Sequence, residues 1–377
     1  MILSDEQRQI QEMARRFSAE RLAPNAAAWD RAAALPRAVI DEMGELGFMG
    51  MFVPEDWGGA ASDHVSFALV LEEIAAGCGA VSTAISGHNS VACLPILDYG
   101  TAAQKAAYLP KLARGELLGA FLLTEPQGGS DASNLKTRAV RNGNGWIVNG
   151  TKQFITSGQT ADLGLVFAAT DPDAGKRGIS AFVVETDNPG YVVDRVENKL
   201  GQRASDTCQI SFQEMRLPDD ALLGAEGEGY KIALANLEGG RVGIAAQAVG
   251  MARAAFEAAR DYARERETFG KPIIAHQAVA FRLADMATGI EAARQMTLHA
   301  AELRDRGAPC LKEASMAKLF ASEMAERVCS DAIQTFGGYG YVEDYPVARI
   351  ARDVRVCKIY EGTNDIQKLV ISRALAG

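Results

Sequence analysis

The order of periodicities along the chain predicts an α+β protein in three parts. These are a helical domain over 1–116, a β domain over 117–225 and a helical bundle domain over 226–377. Three observations carry this. The first third repeats apolar residues at spacings of three and four between recognisable caps. From about Leu117 to Leu217 the period falls towards two and turn chemistry multiplies. After Gly229 the chain returns to long Ala-rich segments separated by Gly or Pro breaks, the mark of an antiparallel bundle.

Taken in order, Ser4 to about Glu20 reads as a capped helix. Pro36 to Gly47 is a second, with Pro at its start and Gly at its end. Val65 to Gly77 and Ala102 to Arg114 follow. Thr137-Arg138-Ala139-Val140-Arg141, Asn142-Gly143-Asn144-Gly145 and Trp146-Ile147-Val148-Asn149 read as a β-hairpin around an Asn-Gly turn. Leu163–Phe167 and Ile179–Val184 look like buried strands, and Cys208–Phe212 alternates. A first long helix runs from about Tyr230 to Arg266, with Ala245, Val249, Ala252, Phe256, Ala259 and Ala263 on one stripe. A second runs from about Gln277 to Arg306. A third runs from about Lys312 to Phe336, with Met316, Phe320, Met324, Val328 and Ala332 at steps of four.

The bulk numbers exclude several function classes. With 377 residues, 48% of them apolar, each part can hold a core. A formal net charge of −9 argues against nucleic acid and anionic membranes as partners. No apolar run reaches the length that spans a bilayer. The N-terminus enters a capped helix without a basic or Arg/Ser-rich leader, so a cytoplasmic protein is expected. The six cysteines, Cys78, Cys93, Cys208, Cys310, Cys329 and Cys357, form no C-x-x-C pair and read as buried thiols. With four histidines and no H-E-x-x-H, a zinc hydrolase has no support, and no metal is expected.

Five segments could carry chemistry. Phe121-Leu122-Leu123-Thr124-Glu125-Pro126-Gln127-Gly128-Gly129-Ser130-Asp131 frees backbone N–H groups and a hydroxyl, although such clusters are usually plain turns. Gly150–Gly158 places Phe154 and Thr156 two apart on one strand face, where a flat ring could lie on the first and bond the second. An ordinary half-buried strand fits equally. Arg266, at the end of the first long helix in Arg264-Glu265-Arg266-Glu267-Thr268-Phe269-Gly270, could hold a phosphate or simply be solvated. Phe336-Gly337-Gly338-Tyr339-Gly340-Tyr341 could be C-caps or a close approach to a cofactor. Tyr360-Glu361-Gly362-Thr363-Asn364-Asp365-Ile366-Gln367 puts a carboxylate on a turn before the last helix. Thr363 or Asn364 can cap that helix, and Asn364 with Gln367 has capping-box spacing. Alone, Glu361 reads better as a solvated residue favoured by the macrodipole than as a general base. Neither a P-loop nor a G-x-G-x-x-G fingerprint is present.

In this order the five segments resemble the acyl-CoA dehydrogenase family over essentially the whole chain. The set is specific where each member is weak. The resemblance implies that family's fold: N-terminal helical domain, middle β-barrel or sheet domain, C-terminal antiparallel four-helix bundle. Lys199–Ser205 and Leu237–Arg241 look most like short-chain and short/branched-chain members. The resemblance further implies FAD, its ring against Phe121, Leu123, Thr124, Phe154 and Thr156, with Gly129 and Ser130 at the flavin and substrate. Phe154 stands where many relatives have Trp. Arg266, Thr268, Phe269 and Gln277 would reach the FAD of a neighbouring subunit. Gln334 and Gly338 would hold its adenosine end, and Thr363 and Asp365 would close over it. That sharing implies a homo-oligomer, a tetramer as in relatives.

Arg241, Tyr360, Ser130 and Gly362 would contact acyl-CoA, and Glu361 would be the catalytic base. In isovaleryl-type members the base sits at the position of Gly240, which has no side chain here, and Glu238 reads as a local partner of Arg241. The implied reaction is α,β-dehydrogenation of a short or branched acyl-CoA to a trans-2-enoyl-CoA. Glu361 takes the α-proton, flavin N5 the β-hydride, and an electron-transfer flavoprotein the electrons. Fatty acid β-oxidation or branched-chain amino acid catabolism would be the setting. The rivals are an acyl-CoA oxidase or flavin monooxygenase on the same scaffold, and a non-catalytic acyl-CoA-binding scaffold.

Overall fold

The computed structural model describes residues 1–376, the side chain of Glu238 excepted. The N-terminal helices are α1 (Asp5–Phe17), α2 (Ala26–Ala32), α3 (Arg37–Glu45), α4 (His64–Gly77), α5 (Gly79–Gly87), α6 (Leu94–Tyr99) and α7 (Ala102–Ala113). At the start of α1, Ser4 and Gln7 form a complete capping box. Thr101 and Gln104 do the same for α7. Helix α2, the α5–α6 pair and the π-helical turn between them escaped the sequence reading. Ala80 to Ser86 are all buried, so no polar face marks a period there.

The sheet contains β1 (Gly119–Leu122), β2 (Arg138–Arg141), β3 (Gly145–Thr156), β4 (Leu163–Ala169), β5 (Ile179–Glu185), β6 (Tyr191–Val196), β7 (Thr207–Pro218) and β8 (Leu222–Leu223). Its order is β6-β7-β3-β2-β4-β5-β8, with β1 parallel to β4. The expected hairpin joins β2 to β3, closed by Asn142 N–H donating to Gly145 O at 2.9 Å. One expectation needs correcting. The Phe154 segment is no plain alternating strand. The β3–β7 register shifts between Lys152 and Ile155, and Phe154 takes a φ of 58°. The bulge throws Phe154 out of the sheet, leaving it 64% exposed, while Lys152 and Gln153 are buried.

The C-terminal part is α8 (Gly229–Glu265), a small hairpin of β9 (Glu267–Thr268) and β10 (Lys271–Pro272), then α9 (Gln277–Asp305), α10 (Leu311–Phe336), α11 (Pro346–Val354) and α12 (Asn364–Ala376). On α8 the expected stripe is buried, with Phe256 partly so. On α10 it is not: Met316 and Phe320 are each 37% exposed. A strict step of four drifts about 40° per step around a 3.6-residue helix, so five such residues cannot share one face. The face turned inward runs through Ala314, Ala317, Lys318, Ala321, Ala325 and Val328. The alanines on this face let α10 pack closely on α8.

Helix α4 lies against α1, α8 and α9 and ties the two helical parts together. Its buried Glu72 pairs with Arg294 (2.9 Å) and Arg253 (3.3 Å), and Glu73 pairs with Arg253 (2.5 Å) and Arg15 (2.9 Å). Two adjacent buried carboxylates are tolerable only because three guanidiniums from three other helices meet them.

Candidate active site

The bulged strand β3, the Phe121–Ser130 segment, helix α8 and the turn before α12 enclose one cleft of about 650 Å³. It gathers eleven of the residues singled out from the sequence: Phe121, Leu123, Thr124, Gly129, Ser130, Phe154, Thr156, Arg241, Tyr360, Glu361 and Gly362. A second, open cavity of about 1040 Å³ gathers Arg266, Thr268 and Gly338 with Tyr262, Phe336 and Tyr345. Phe269, Gln277, Gln334, Thr363 and Asp365 line neither. Phe269 is 96% exposed, and Asp365 pairs with Lys368 at 3.7 Å.

The turn carrying Glu361 is strained and firmly held. Glu361 has a φ of 54° and Gly362 one of 84°. A non-glycine residue there costs about 1–3 kcal/mol, which the surroundings must offset. Gln367, fully buried on α12, donates its Nε2 to the carbonyls of Glu361 (3.2 Å) and Gly362 (2.8 Å). Lys318 Nζ donates to Gly362 O at 2.8 Å and to Asn364 Oδ1 at 3.0 Å. The expected Asn364–Gln367 capping box does not form. Thr363 caps α12, its Oγ1 accepting from Ile366 N–H at 3.4 Å. Asn364 instead turns inward to Ser322 and Glu323.

Glu361 Oε2 is buried with no hydrogen-bond partner among the described residues. Burial pushes this carboxyl up to about 7, against the attraction of Arg241 and Lys318. Across from it, a Cβ built on Gly240 would stand 2.7 Å from Oε2. Position 240 therefore faces the carboxylate directly, and only glycine leaves it room. The pairing expected between Glu238 and Arg241 lies outside the described residues.

Tyr360 lines the cleft with its ring while its hydroxyl is spent in a network. It donates to Gln247 Oε1 at 2.6 Å, accepts from Gln202 Nε2 at 3.3 Å and lies 3.4 Å from Thr83 Oγ1. Thr83 donates to Gln202 Oε1 at 2.6 Å. Gln202 is in turn anchored by Asp353, which accepts from its backbone N–H at 2.5 Å. Thr83, Gln202, Gln247 and Lys318 were not found from the sequence. A Gln in the middle of an Ala/Val helix and a Lys within an alanine stripe were the available signals.

The other wall is set by a buried ion pair. Lys152 Nζ meets Glu125 Oε1 at 2.7 Å and the Leu123 carbonyl at 3.1 Å. Glu125 also accepts from the backbone of Lys136 and Thr137 and from Gln127 Nε2. Gln153 N–H donates to Thr124 O at 2.8 Å. The Leu123–Thr124 segment is thereby stitched to β3 just before the bulge presents Phe154. The outcome is an exposed aromatic face beside the hydroxyls of Thr124, Ser130 and Thr156. An added Cβ on Gly129 would come no nearer than 3.9 Å to any neighbour outside the chain-adjacent residues. A flat heteroaromatic ring with polar edges suits this donor set. Among the described residues no His/Cys/Asp/Glu group could hold a metal, the cysteines are free and buried, and no helix is long and apolar enough to cross a membrane.

Comparison with known proteins identifies the family. Family models described as acyl-CoA dehydrogenase N-terminal, middle and C-terminal domains match residues 4–116, 120–215 and 227–376. The chain is 49% identical to an acyl-CoA dehydrogenase of Bacillus subtilis, covering 100% of both. It is similar to butyryl-CoA dehydrogenase of Megasphaera elsdenii, at 42% identity, 100% coverage of both chains and a TM-score of 0.98. It is also similar to a chain in the solved structure of the electron transferring flavoprotein of Acidaminococcus fermentans. There the identity is 46%, the coverage 100% and 99%, and the TM-score 0.98.

Proposed function

The chain belongs to the acyl-CoA dehydrogenase family of FAD flavoproteins, and from that premise we propose that Glu361 is the base that starts α,β-dehydrogenation of a short-chain acyl-CoA. The observation that carries this is the Glu361 carboxylate itself. It sits at the cleft with one oxygen unpartnered and an affinity for protons near neutrality. A base that must both take and release a proton at physiological pH needs that affinity.

The residues divide the work. Gln367, Lys318 and the left-handed turn fix where the carboxylate points. Walls from Leu234, Leu237 and Ile244 keep water from the α-carbon, which strengthens every electrostatic interaction inside. Phe154, Thr156, Thr124, Phe121, Leu123, Gly129 and Ser130 would hold the flavin ring. Arg266, Thr268, Phe269 and Gln277 would reach the FAD of a neighbouring copy, Gln334 and Gly338 would hold its adenosine end, and Thr363 and Asp365 would close over the cofactor. Bound FAD supplies the acceptor for the β-hydride. Arg241 and Gly362 would meet the acyl-CoA, and Tyr360 would shape its site through its ring. The Thr83–Gln247–Tyr360 network lies at the cleft wall and favours a short acyl group, straight or methyl-branched.

The far-exposed Phe269 and Tyr341 (88%) support an assembly of copies, a homotetramer in our reading. The chain similar to this one in the Acidaminococcus structure supports an electron-transfer flavoprotein as acceptor. A cytoplasmic place, in β-oxidation or branched-chain acyl catabolism, follows from the same reading.

The test is anaerobic titration with butyryl-, 2-methylbutyryl-, isobutyryl-, isovaleryl- and octanoyl-CoA. Bleaching of the flavin band by a short acyl-CoA, abolished by Glu361→Gln without loss of FAD, is expected. Substantial bleaching by the Gln variant would refute the assignment. Rapid peroxide formation in air would move the protein to the oxidase branch.

A further inference from the structure

Lys318 has no part in the reading above beyond a hydrogen bond, yet its placement is costly. It is fully buried on the Ala-rich face of α10, and burial alone works against its charge. Its Nζ bonds a carbonyl and an amide oxygen, Gly362 O and Asn364 Oδ1, and no carboxylate among the described residues pairs with it directly. Ser322 completes the cage by bonding Asn364. A lysine serving only to fill space would be replaced at a gain by a methionine of similar volume. What the ammonium does instead is face the back of the Glu361 turn. The charged and titratable groups around it are Cys357, Glu361, Arg241 and Glu323, from the segment before the turn, the turn itself, α8 and α10.

We propose that Lys318 is a positioning residue for proton abstraction: its ammonium clamps the Gly362 carbonyl beneath Glu361 and supplies a positive field that favours the carboxylate form of the base. The two roles belong together. The clamp holds the left-handed Glu361–Gly362 pair from the α10 side, as Gln367 does from the α12 side. The field offsets part of the desolvation that a water-poor cleft imposes on the base. Arg241 contributes to the same field but lines the cleft, where substrate would contact it. Lys318 acts from behind, where the acyl group cannot displace it.

This inference rests on Glu361 being the base, and the experiment separates the two. Lys318→Met, Lys318→Gln and Lys318→Arg are prepared as FAD-loaded enzymes, and the rate of anaerobic bleaching by butyryl-CoA is followed against pH. The ionisation of Glu361 is read in parallel by infrared difference titration, with Glu361→Gln for subtraction. Both neutral variants should move the midpoint up by about one pH unit, which lowers the rate about fivefold at the wild-type midpoint and about tenfold well below it. Lys318→Gln, which can still donate to Gly362 O, should approach the wild-type alkaline plateau more closely than Lys318→Met. Lys318→Arg should keep the wild-type midpoint. An unshifted midpoint in either neutral variant overturns the inference. So does loss of FAD from both neutral variants while Lys318→Arg stays loaded with its rate lowered at every pH, for that assigns Lys318 to folding alone. Bleaching that survives Glu361→Gln overturns the base assignment instead.

Discussion

Gly240→Ala should separate stability from catalysis more cleanly than any change to the base itself. Gly240 lies within α8, where an alanine is intrinsically favoured by about 1 kcal/mol. The new methyl would stand 2.7 Å from Glu361 Oε2 and 2.8 Å from its Cδ, about 0.7 Å inside ordinary contact at 3.4 Å. The three nearest atoms to that methyl, the third being Oε1 at 3.0 Å, all belong to the Glu361 carboxylate, so the tightest clash falls on it. The backbone behind it is pinned by Gln367 and Lys318 and cannot follow. The side chain must therefore rotate, which displaces its oxygens by roughly 1 Å. A misplacement of that size costs about a hundredfold in rate, near 3 kcal/mol of barrier. The assay is stopped-flow flavin bleaching by butyryl-CoA, beside a urea melt of the same flavin-loaded protein. The expected pair of results is a melt unchanged or slightly more stable and bleaching slowed about a hundredfold with FAD retained. Wild-type bleaching by Gly240→Ala would show that Glu361 does not work from the position seen here.

Three further outcomes follow from the same geometry. Because Glu361 binds its proton more tightly folded (about 7) than unfolded (4.5), native stability declines as pH rises through that interval and is level above it. Glu361→Gln should be the more stable protein at pH 8, by up to about 3 kcal/mol in denaturant melts, and equal to wild type below pH 4. Arg253→Met removes the guanidinium shared by Glu72 and Glu73 and should cost about 3–5 kcal/mol in the same melts, whereas Arg15→Met, at the exposed end of the network, should cost about 1. Gln247→Ala opens the network wall of the cleft and should raise the hexanoyl-to-butyryl ratio of kcat/KM about tenfold.

What the sequence disclosed, and what it concealed, follows from the range of the forces involved. Local signals read true: the Ser4–Gln7 and Thr101–Gln104 boxes and the Asn142–Gly145 turn are decided within a few residues, and so is their appearance in the fold. The two misread positions at the site are those where tertiary partners outbid a local motif. Asn364 and Gln367 have the spacing of a capping box, but Asn364 finds Lys318 and Ser322, forty-odd positions away, and Gln367 turns back to the Glu361 carbonyl. Phe154 reads as one step of a strand, but the β3–β7 register shifts just after Lys152, which is anchored in its buried pair with Glu125, and the bulge leaves the ring exposed. Burying an ion pair and storing a left-handed residue both cost free energy and neither adds to a core. A chain that accepts both costs beside the same cleft is using them to hold an aromatic face and a carboxylate in fixed relation. Substitutions at Lys318 should therefore degrade the reaction well before they unfold the protein, whereas substitutions at Lys152 leave Glu125 buried without its cation and should cost stability as well.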